Sequence, residues 1–294
     1  MTLDIFIPYW GEPRFMKETV RSVLAQDDGD WKLTVVDDAY PTLEVAEFMA
    51  SITDQRVTYV RKARNEGITA NYRTCVSMAT EPVMVLLGSD DRLKPSYVRD
   101  ILSAHERFPN AAIIQPGVEL IDENGTIIDP LADRVKRAIQ PRGRGYQIFA
   151  GEKIATSLLH GDWLYWPALA FRTEVISDVG FREGFPLIQD LAIVMDMIFR
   201  GEQLLRTPEV TFQYRRHTNS ASSSTLLDGT RFAGEREYFE LAHQISAELG
   251  WSSAARAARL RLTSRTHAAW LIPSAMAARD VPALTSLLRH ALGK

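Results

Sequence analysis

The sequence of 294 residues predicts an α/β protein: a mostly parallel sheet flanked by helices, followed by a C-terminal helical appendage. Three observations carry this expectation. In the first half, short apolar or β-branched runs alternate with stretches of helical period, the pattern of βαβ units. Runs such as "VMVLL" are apolar throughout, which suits strands covered on both faces. From about Arg231 onward the strand signal ends and helical periods rich in Ala, Leu and Arg take over.

Each element follows from its residues. "LDIFIPY" is a first strand. "PRFMKETVRSVLAQ" follows as a helix, with Phe15, Val20, Val23 and Leu24 near helical spacing and Pro13 suited to a first turn. "KLTVVDD" is a second strand ending in acid, "TLEVAEFMASI" a helix and "RVTYV" a third strand. "GITANYRTCVSMA" is helical, "PVMVLLG" a fourth strand, and "PSYVRDILSAHERF" a helix with Pro95 near its start. The second half is less regular. "AAIIQPGVELIDENGTIID" reads as two strands around an Asn-Gly turn. Residues 129–147 are rich in Arg, Gly and Pro and read as a mobile segment or lid. "WLYWPALAFR" reads as a strand, "TEVISDVG" as a short helix, and "LIQDLAIVMDMIFRG" as a helix closed by Gly201. "EVTFQYRRH" is a further strand and "TNSASSST" a polar loop. Three helices are expected after that: "EREYFELAHQISAELG", "SAARAARLRLTSRTHAAWLI" and "VPALTSLLRHAL". The expected organisation is a catalytic unit over 1–225, with halves at 1–110 and 111–225, and the appendage over 226–294.

Composition narrows the function classes. Hydrophobic content of 46% and charged content of 24% are those of an ordinary globular domain. A formal net charge of −3 provides no global field for nucleic acid. The one cysteine, Cys75, has no internal disulfide partner, which fits a reducing compartment. No stretch approaches the roughly 20 apolar residues of a membrane span, and "MTLDIFIPYWGEP" lacks a signal-peptide pattern. A cytoplasmic location is expected, with peripheral contact at the inner face of a membrane left open.

In open α/β sheets, ligands bind beyond the carboxyl ends of the strands. Polar residues gather at four such ends: Tyr9 and Glu12, Asp37 and Asp38, Arg64 and Asn65, Asp90 and Asp91. Asp90–Asp91 in "LLGSDDRLKP" is either a solvated turn or a cation site, since hard divalent ions take one or two carboxylates beside phosphate oxygens and water. Asp37 and Asp38 either bond a base or ribose or serve an Asx turn. Gly67 opens a helix whose amides either face a phosphate or are simply capped. Asp190 lies at a helix start, where the dipole favours a carboxylate and a cleft would make it a general base. His217 is a metal ligand if it stands beside a carboxylate-bound cation. Arg215 and Arg216 are candidates to pair with phosphate. Trp163 and Trp166 are either core or flat faces for a sugar ring.

These pieces, in this order, resemble the family 2 glycosyltransferases with the Rossmann-like GT-A fold, over about residues 3 to 220. "IFIPYWGEP" is similar to the family's opening "IPTYN" stretch, "TVVDDAYP" to "VVDDGS", and "ARNEGITAN" to "ARNxGxxxA". "LGSDDRLKP" is similar to the DXD segment "LDADDxxxP", "VGFREGFPLIQDLAIVMDMIFRG" to the "GFxE" and Glu-Asp stretch, and "YRRHTNSAS" to "YRxHxxSxS".

The resemblance implies a metal-dependent, inverting transfer of a sugar from a nucleotide-diphosphate donor to a hydroxyl. UDP is favoured and deoxythymidine diphosphate comes next; the acceptor would be a glycan, a lipid-linked sugar or a small natural product. It implies that Pro8, Tyr9, Glu12, Asp37, Asp38, Arg64, Asn65, Gly67, Asn71, Ser89 and Asp90 border the nucleotide. Asp90, with Asp91 in support and His217 approaching, would hold Mn²⁺ or Mg²⁺. Asp190 would be the base, and Trp163, Trp166 and Gln189 would meet the acceptor. Two departures stand out: Gly88 replaces the first acid of the DXD pattern, and Gln189 replaces a glutamate. A sugar nucleotidyltransferase would show more glycines after the first strand than "PYWGEPRF" has. A non-catalytic sugar-nucleotide binder is the third reading. The basic "ARAARLRLTSR" helix has four readings: anionic lipid, an acceptor phosphate, an oligomer interface, or packing on the core.

Overall fold

The computed structural model describes residues 1–217, 230–277 and 280–292. The polar loop expected after His217, and the boundary expected near 225, lie outside the described residues. The sheet runs in the order β3-β2-β1-β4-β9-β6-β10-β5. Strands β1 (Leu3–Tyr9), β2 (Trp31–Asp37), β3 (Val57–Arg61) and β4 (Val83–Leu86) are mutually parallel neighbours. The short β9 (Ala170–Arg172) runs antiparallel between β4 and β6 (Ala111–Ile121), and β6 pairs parallel with β10 (Gln203–Arg215). β5 (Arg92–Leu93) and β8 (Gln147–Phe149) add antiparallel to β10, and β7 (Ile127–Ile128) to β6.

Strand alternation divides β1 between two apolar layers. Ile5, Ile7 and Tyr9 face one, filled by Met16, Val20 and Val23 of α1 (Pro13–Leu24) and by Val98 and Ile101 of α4 (Tyr97–Arg107). Phe6 faces the other, with Met84 and Leu86 of β4, Cys75 of α3 (Ile68–Met78), Ile154 and Leu158 of α6 (Gly151–His160), and the apolar body of α8 (Gln189–Phe199). Every residue of β1 and β4 is buried, which is why these strands read as unbroken apolar runs. α2 (Glu44–Ala50) and α7 (Thr173–Val179) complete the flanks.

Several expectations change. The segment at 129–147 holds a helix, α5 (Leu131–Ile139), and then β8. "LADRVKRAI" has a helical period that the neighbouring Pro and Gly residues mask. "WLYWPALAFR" is a strand only from Ala170, because Pro167 sits in a 3₁₀ turn over Trp166–Ala168 and lacks the N–H that a ladder needs. The helix expected from Ser253 breaks at Arg261, whose φ of 48° is left-handed, giving α10 (Ser252–Leu260) and α11 (Leu262–Ala277).

The C-terminal helices are not one body in packing terms. Tyr238, Phe239 and Ala242 of α9 (Thr230–Glu248) and Ala254, Ala257 and Ala258 of α10 join the layer built on α6 and α8. Phe232 at the start of α9 instead packs with Ala268 and Leu271 of α11 and Ala283 and Leu287 of α12 (Val281–Ala291).

Candidate active site

Two aspartate pairs follow the ends of β2 and β4, one on each side of β1. Asp37 is fully buried. Its carboxylate accepts from the Tyr59 hydroxyl at 2.5 Å, the Arg61 guanidinium at 2.6 Å and the Tyr40 backbone N–H at 2.7 Å. Burial, and then the bond to Asp37, pushes the Tyr59 hydroxyl up to about 12, so it remains a donor. Asp38 is also buried. It accepts from the backbone N–H of Gly67 at 2.9 Å and of Glu66 at 3.1 Å, and lies 3.3 Å from Lys62 Nζ. The first pair is thus spent on protein groups. Asp37 braces β3, and Asp38 holds the loop that carries Arg64 and Asn65. The amides of Glu66 and Gly67 point at Asp38 instead of at a ligand. Between Asp38 and Tyr40, Ala39 adopts a φ of 60°, strained for a residue with a Cβ.

The other residues expected around the nucleotide divide. Pro8 and Tyr9 are buried in β1, and the Tyr9 hydroxyl donates to the Gly11 carbonyl at 3.0 Å. Glu12 is exposed, as are Asn65 and Arg64, whose side chain is 84% accessible. Gly67 starts α3 with a φ of 87°, and Asn65 Oδ1 accepts from its N–H at 2.9 Å. Asn71 is not at the surface: it is 1% exposed and donates from Nδ2 to the Val36 carbonyl at 2.9 Å, tying α3 to β2. Ser89 closes against the β1 loop, since an ideal Cβ on Gly11 would stand 3.1 Å from its Oγ. Trp10 is 46% exposed and meets Tyr40 edge-on at 5.4 Å. This aromatic rim between the ends of β1 and β2 was not picked out from the sequence, where its only signal is adjacency to the flagged residues.

The second pair is divided differently. Asp90 is partly exposed, and its Oδ2 lies 2.8 Å from His217 Nε2. Asp91 is 1% exposed. Its Oδ1 accepts from the Arg215 backbone N–H at 2.8 Å, and its carbonyl accepts from Thr19 Oγ1 at 2.7 Å. Asp91 Oδ2 is buried without a hydrogen-bond partner. Burial, reinforced by the charge of Asp90, raises its pKa well above the ordinary carboxylate value. The Arg215 side chain reaches back to the Asp90 carbonyl at 2.6 Å and to Glu18 at 2.6 Å. Asp91 and Arg215 therefore clip the end of β10 onto the β4 loop, which sets the Asp90–His217 spacing. Phe15 supports both sides of the clip, 5.1 Å from the His217 ring and 4.6 Å beneath the Arg215 guanidinium. Arg216 pairs at 2.8 Å with buried Asp133 of α5, which also accepts from the Tyr165 hydroxyl at 3.0 Å. Neither arginine expected to meet phosphate stands unengaged.

Gly88 explains one departure. A Cβ built there would fall inside the contact shell of Asp91 Oδ2 and 3.1 Å from Asp90 Oδ1. The room for a side chain at position 88 is filled by Asp91.

Asp190 lies in the first turn of α8, and its Oδ1 accepts from the Leu191 N–H at 2.8 Å. Gln189 beside it is buried, with Oε1 lacking a hydrogen-bond partner. Tyr72 of α3 links this region to the metal-site candidates. Burial raises its hydroxyl pKa, with further increments from Asp190, Cys75 and Asp90. The Tyr72 ring stacks on Phe181 at 5.5 Å and meets Trp166 at 5.7 Å. Trp166 is 9% exposed within this aromatic cluster. Trp163 is 2% exposed and donates to Ser157 Oγ at 3.1 Å, which packs it in the core against α6.

Comparison with known proteins decides the family. The model of "Glycosyl transferase family 2" matches residues 4–160, more than half of the chain. The chain belongs to that family. This glycosyltransferase is 24% identical over 113 residues to a putative colanic acid biosynthesis glycosyl transferase, WcaA, of Escherichia coli, covering 38% of this chain and 40% of that one. It is 25% identical over 228 residues to an uncharacterized protein, y4gI, of Sinorhizobium fredii, covering 76% of this chain and 23% of that one. The glycosyltransferase therefore spans less than half the length of these two relatives. A solved structure of S. aureus TarS 1-349 in complex with UDP-GlcNAc matches with a TM-score of 0.65 at 13% identity, over 100% of this chain and 93% of that one. That likeness establishes the GT-A fold. Among the described residues, no helix is long and apolar enough to cross a membrane, and no group of three or more His, Cys, Asp or Glu could hold a metal ion.

Proposed function

We propose that this glycosyltransferase moves a sugar from a UDP-sugar to a hydroxyl acceptor with the help of a divalent cation at Asp90 and His217. The Asp90–His217 pair at the carboxyl end of the parallel strands carries the reading. Asp90 and His217, in contact at 2.8 Å, would hold such a cation through one carboxylate and one imidazole. The solved TarS complexes with UDP-GlcNAc and with UDP support a uridine nucleotide.

A cation bound there would neutralise the charge that develops on the departing diphosphate. The remaining work falls to the chain. Asp190, favoured at a helix N-terminus, accepts the proton of the acceptor hydroxyl. The acceptor oxygen bonds to the anomeric carbon as the bond from that carbon to the diphosphate oxygen breaks, and the nucleoside diphosphate leaves. Attack from the face opposite the leaving group inverts the centre.

The test is binding and turnover with UDP-sugars in the presence and absence of Mn²⁺. Ligand-dependent thermal stabilisation with metal, lost in Asp90→Asn, is expected. Asp190→Asn should still bind but transfer on the order of 10²–10⁴-fold more slowly. Stabilisation that ignores both metal and Asp90 would overturn the metal site. Unchanged turnover in Asp190→Asn would overturn the base.

A further inference from the structure

Helix α5 is inside out. Two of its ionic residues face the protein: Asp133 is fully buried against Arg216, and Lys136 donates to the Leu164 carbonyl at 2.9 Å. Its apolar residues face outward, with Leu131 69%, Val135 50% and Ile139 36% exposed. These three recur every four residues, so they form one stripe. Arg134 is exposed beside that stripe. Residues 130–147 carry Arg134, Lys136, Arg137, Arg142 and Arg144 against the single acid Asp133, which is itself neutralised by Arg216.

A second segment with the same character adjoins it. The side chains of Ile139 and Thr263 close on Gly161, where an ideal Cβ would lie 2.6 Å from one and 3.1 Å from the other. Thr263 opens α11 beside Leu262, which is 50% exposed, and further along that helix Trp270 is 72% exposed. Residues 252–294 contain six arginines and one lysine against one aspartate, although the whole chain has a net charge of −3. Positive charge is therefore concentrated in the two segments that also expose apolar side chains. A solvated surface does not need such a stripe, whereas an anionic bilayer recognises both halves of it: apolar side chains enter the headgroup boundary and basic flanks pair with lipid charge.

We infer that α5, with the adjoining start of α11, is a docking face for an anionic lipid surface. The helix would lie in the interface without crossing it. Asp133 fastens α5 to Arg216, the neighbour of His217, so a docked bilayer adjoins the candidate active site. The inference goes beyond the proposed transfer reaction and does not depend on it, because vesicle binding is measured without nucleotide.

The experiment is co-sedimentation of the full chain with vesicles of phosphatidylcholine alone and of phosphatidylcholine mixed with phosphatidylglycerol. Binding is expected only to the anionic vesicles and should weaken as salt is added. Leu131→Asp with Val135→Asp, and separately Arg134→Glu with Arg144→Glu, should each weaken binding by about tenfold or more. Unchanged circular dichroism and melting temperature would show that the variants fold. Equal binding to neutral vesicles, no binding at low salt, or binding indifferent to both variants would overturn the inference. So would a concentration-dependent dimer, abolished by Leu131→Asp with Val135→Asp, in a protein that ignores vesicles. That result would assign the face to a second copy of the chain.

Discussion

The Asp37–Asp38 and Asp90–Asp91 pairs look alike in sequence and stand at equivalent places, one strand away from β1 on opposite sides. They are used differently. In the first pair both carboxylates are buried and bonded to protein groups, from Tyr59 and Arg61 to the amides of Glu66 and Gly67. In the second, Asp91 alone is given to the fold, and Asp90 is left partly exposed beside His217. The difference lies in the partners each site recruits. β3 brings a tyrosine and an arginine to the first pair, while the end of β10 brings a backbone N–H to one member of the second and an imidazole to the other. A strand-end acid stays partly exposed when the fold satisfies its neighbour and offers it only an imidazole.

The largest effect that would sharpen this contrast is on rate. Asp90→Asn should lower kcat/KM on the order of 10²–10³-fold with little change in melting temperature. A variant that unfolds instead would place Asp90 with the structural acids. Asp37→Asn should do the opposite. Weakening the buried bonds to Tyr59 and Arg61 should cost about 1–3 kcal/mol of stability, read by urea unfolding, and any loss of activity should follow the unfolded fraction.

A subtler contrast is in pH. Because the Asp91 pKa is raised in the folded state, the native protein holds more protons than the unfolded chain above the ordinary carboxylate range. Its contribution to stability then falls as pH rises from about 4. Asp91→Asn, which keeps the acceptor for the Arg215 N–H, should remove that fall. Urea unfolding in EDTA at pH 4 and pH 7 measures it, and an unchanged slope would mean that Asp91 is ionised like an ordinary acid. The smallest effect belongs to Ala39. Replacing it with glycine relieves a left-handed residue but adds chain entropy, for a net gain of about 0.5 kcal/mol.

The parallel half of the fold was legible because β1 and β4 are buried on both faces and its helices keep a clear period. Its strand ends therefore placed the flagged acids along one edge of the sheet. What escaped reading depended on distant partners. Nothing in "TVVDD" shows that Tyr59 and Arg61 will claim Asp37, nor does "GSDDR" show that Arg215 will claim Asp91. For Asn71 and Trp163 the resemblance implies ligand contacts, whereas burial under β2 and against Ser157 gives them to the core. α5 was hidden by the Pro and Gly residues that flank it, and the direction it faces depends on distant partners such as Arg216.

The packing of Asp91 over Gly88 also constrains how the site can change. An acid cannot be added at position 88 while Asp91 keeps its rotamer, and Asp91 cannot be shortened without releasing the Arg215 backbone. The two positions form a lock on substitution order. Selection for a side chain at 88 should first recover variants with a smaller residue at 91, and the double change should be tolerated where Gly88→Asp alone is not. Routes from this chain to the more acidic motif therefore pass through position 91.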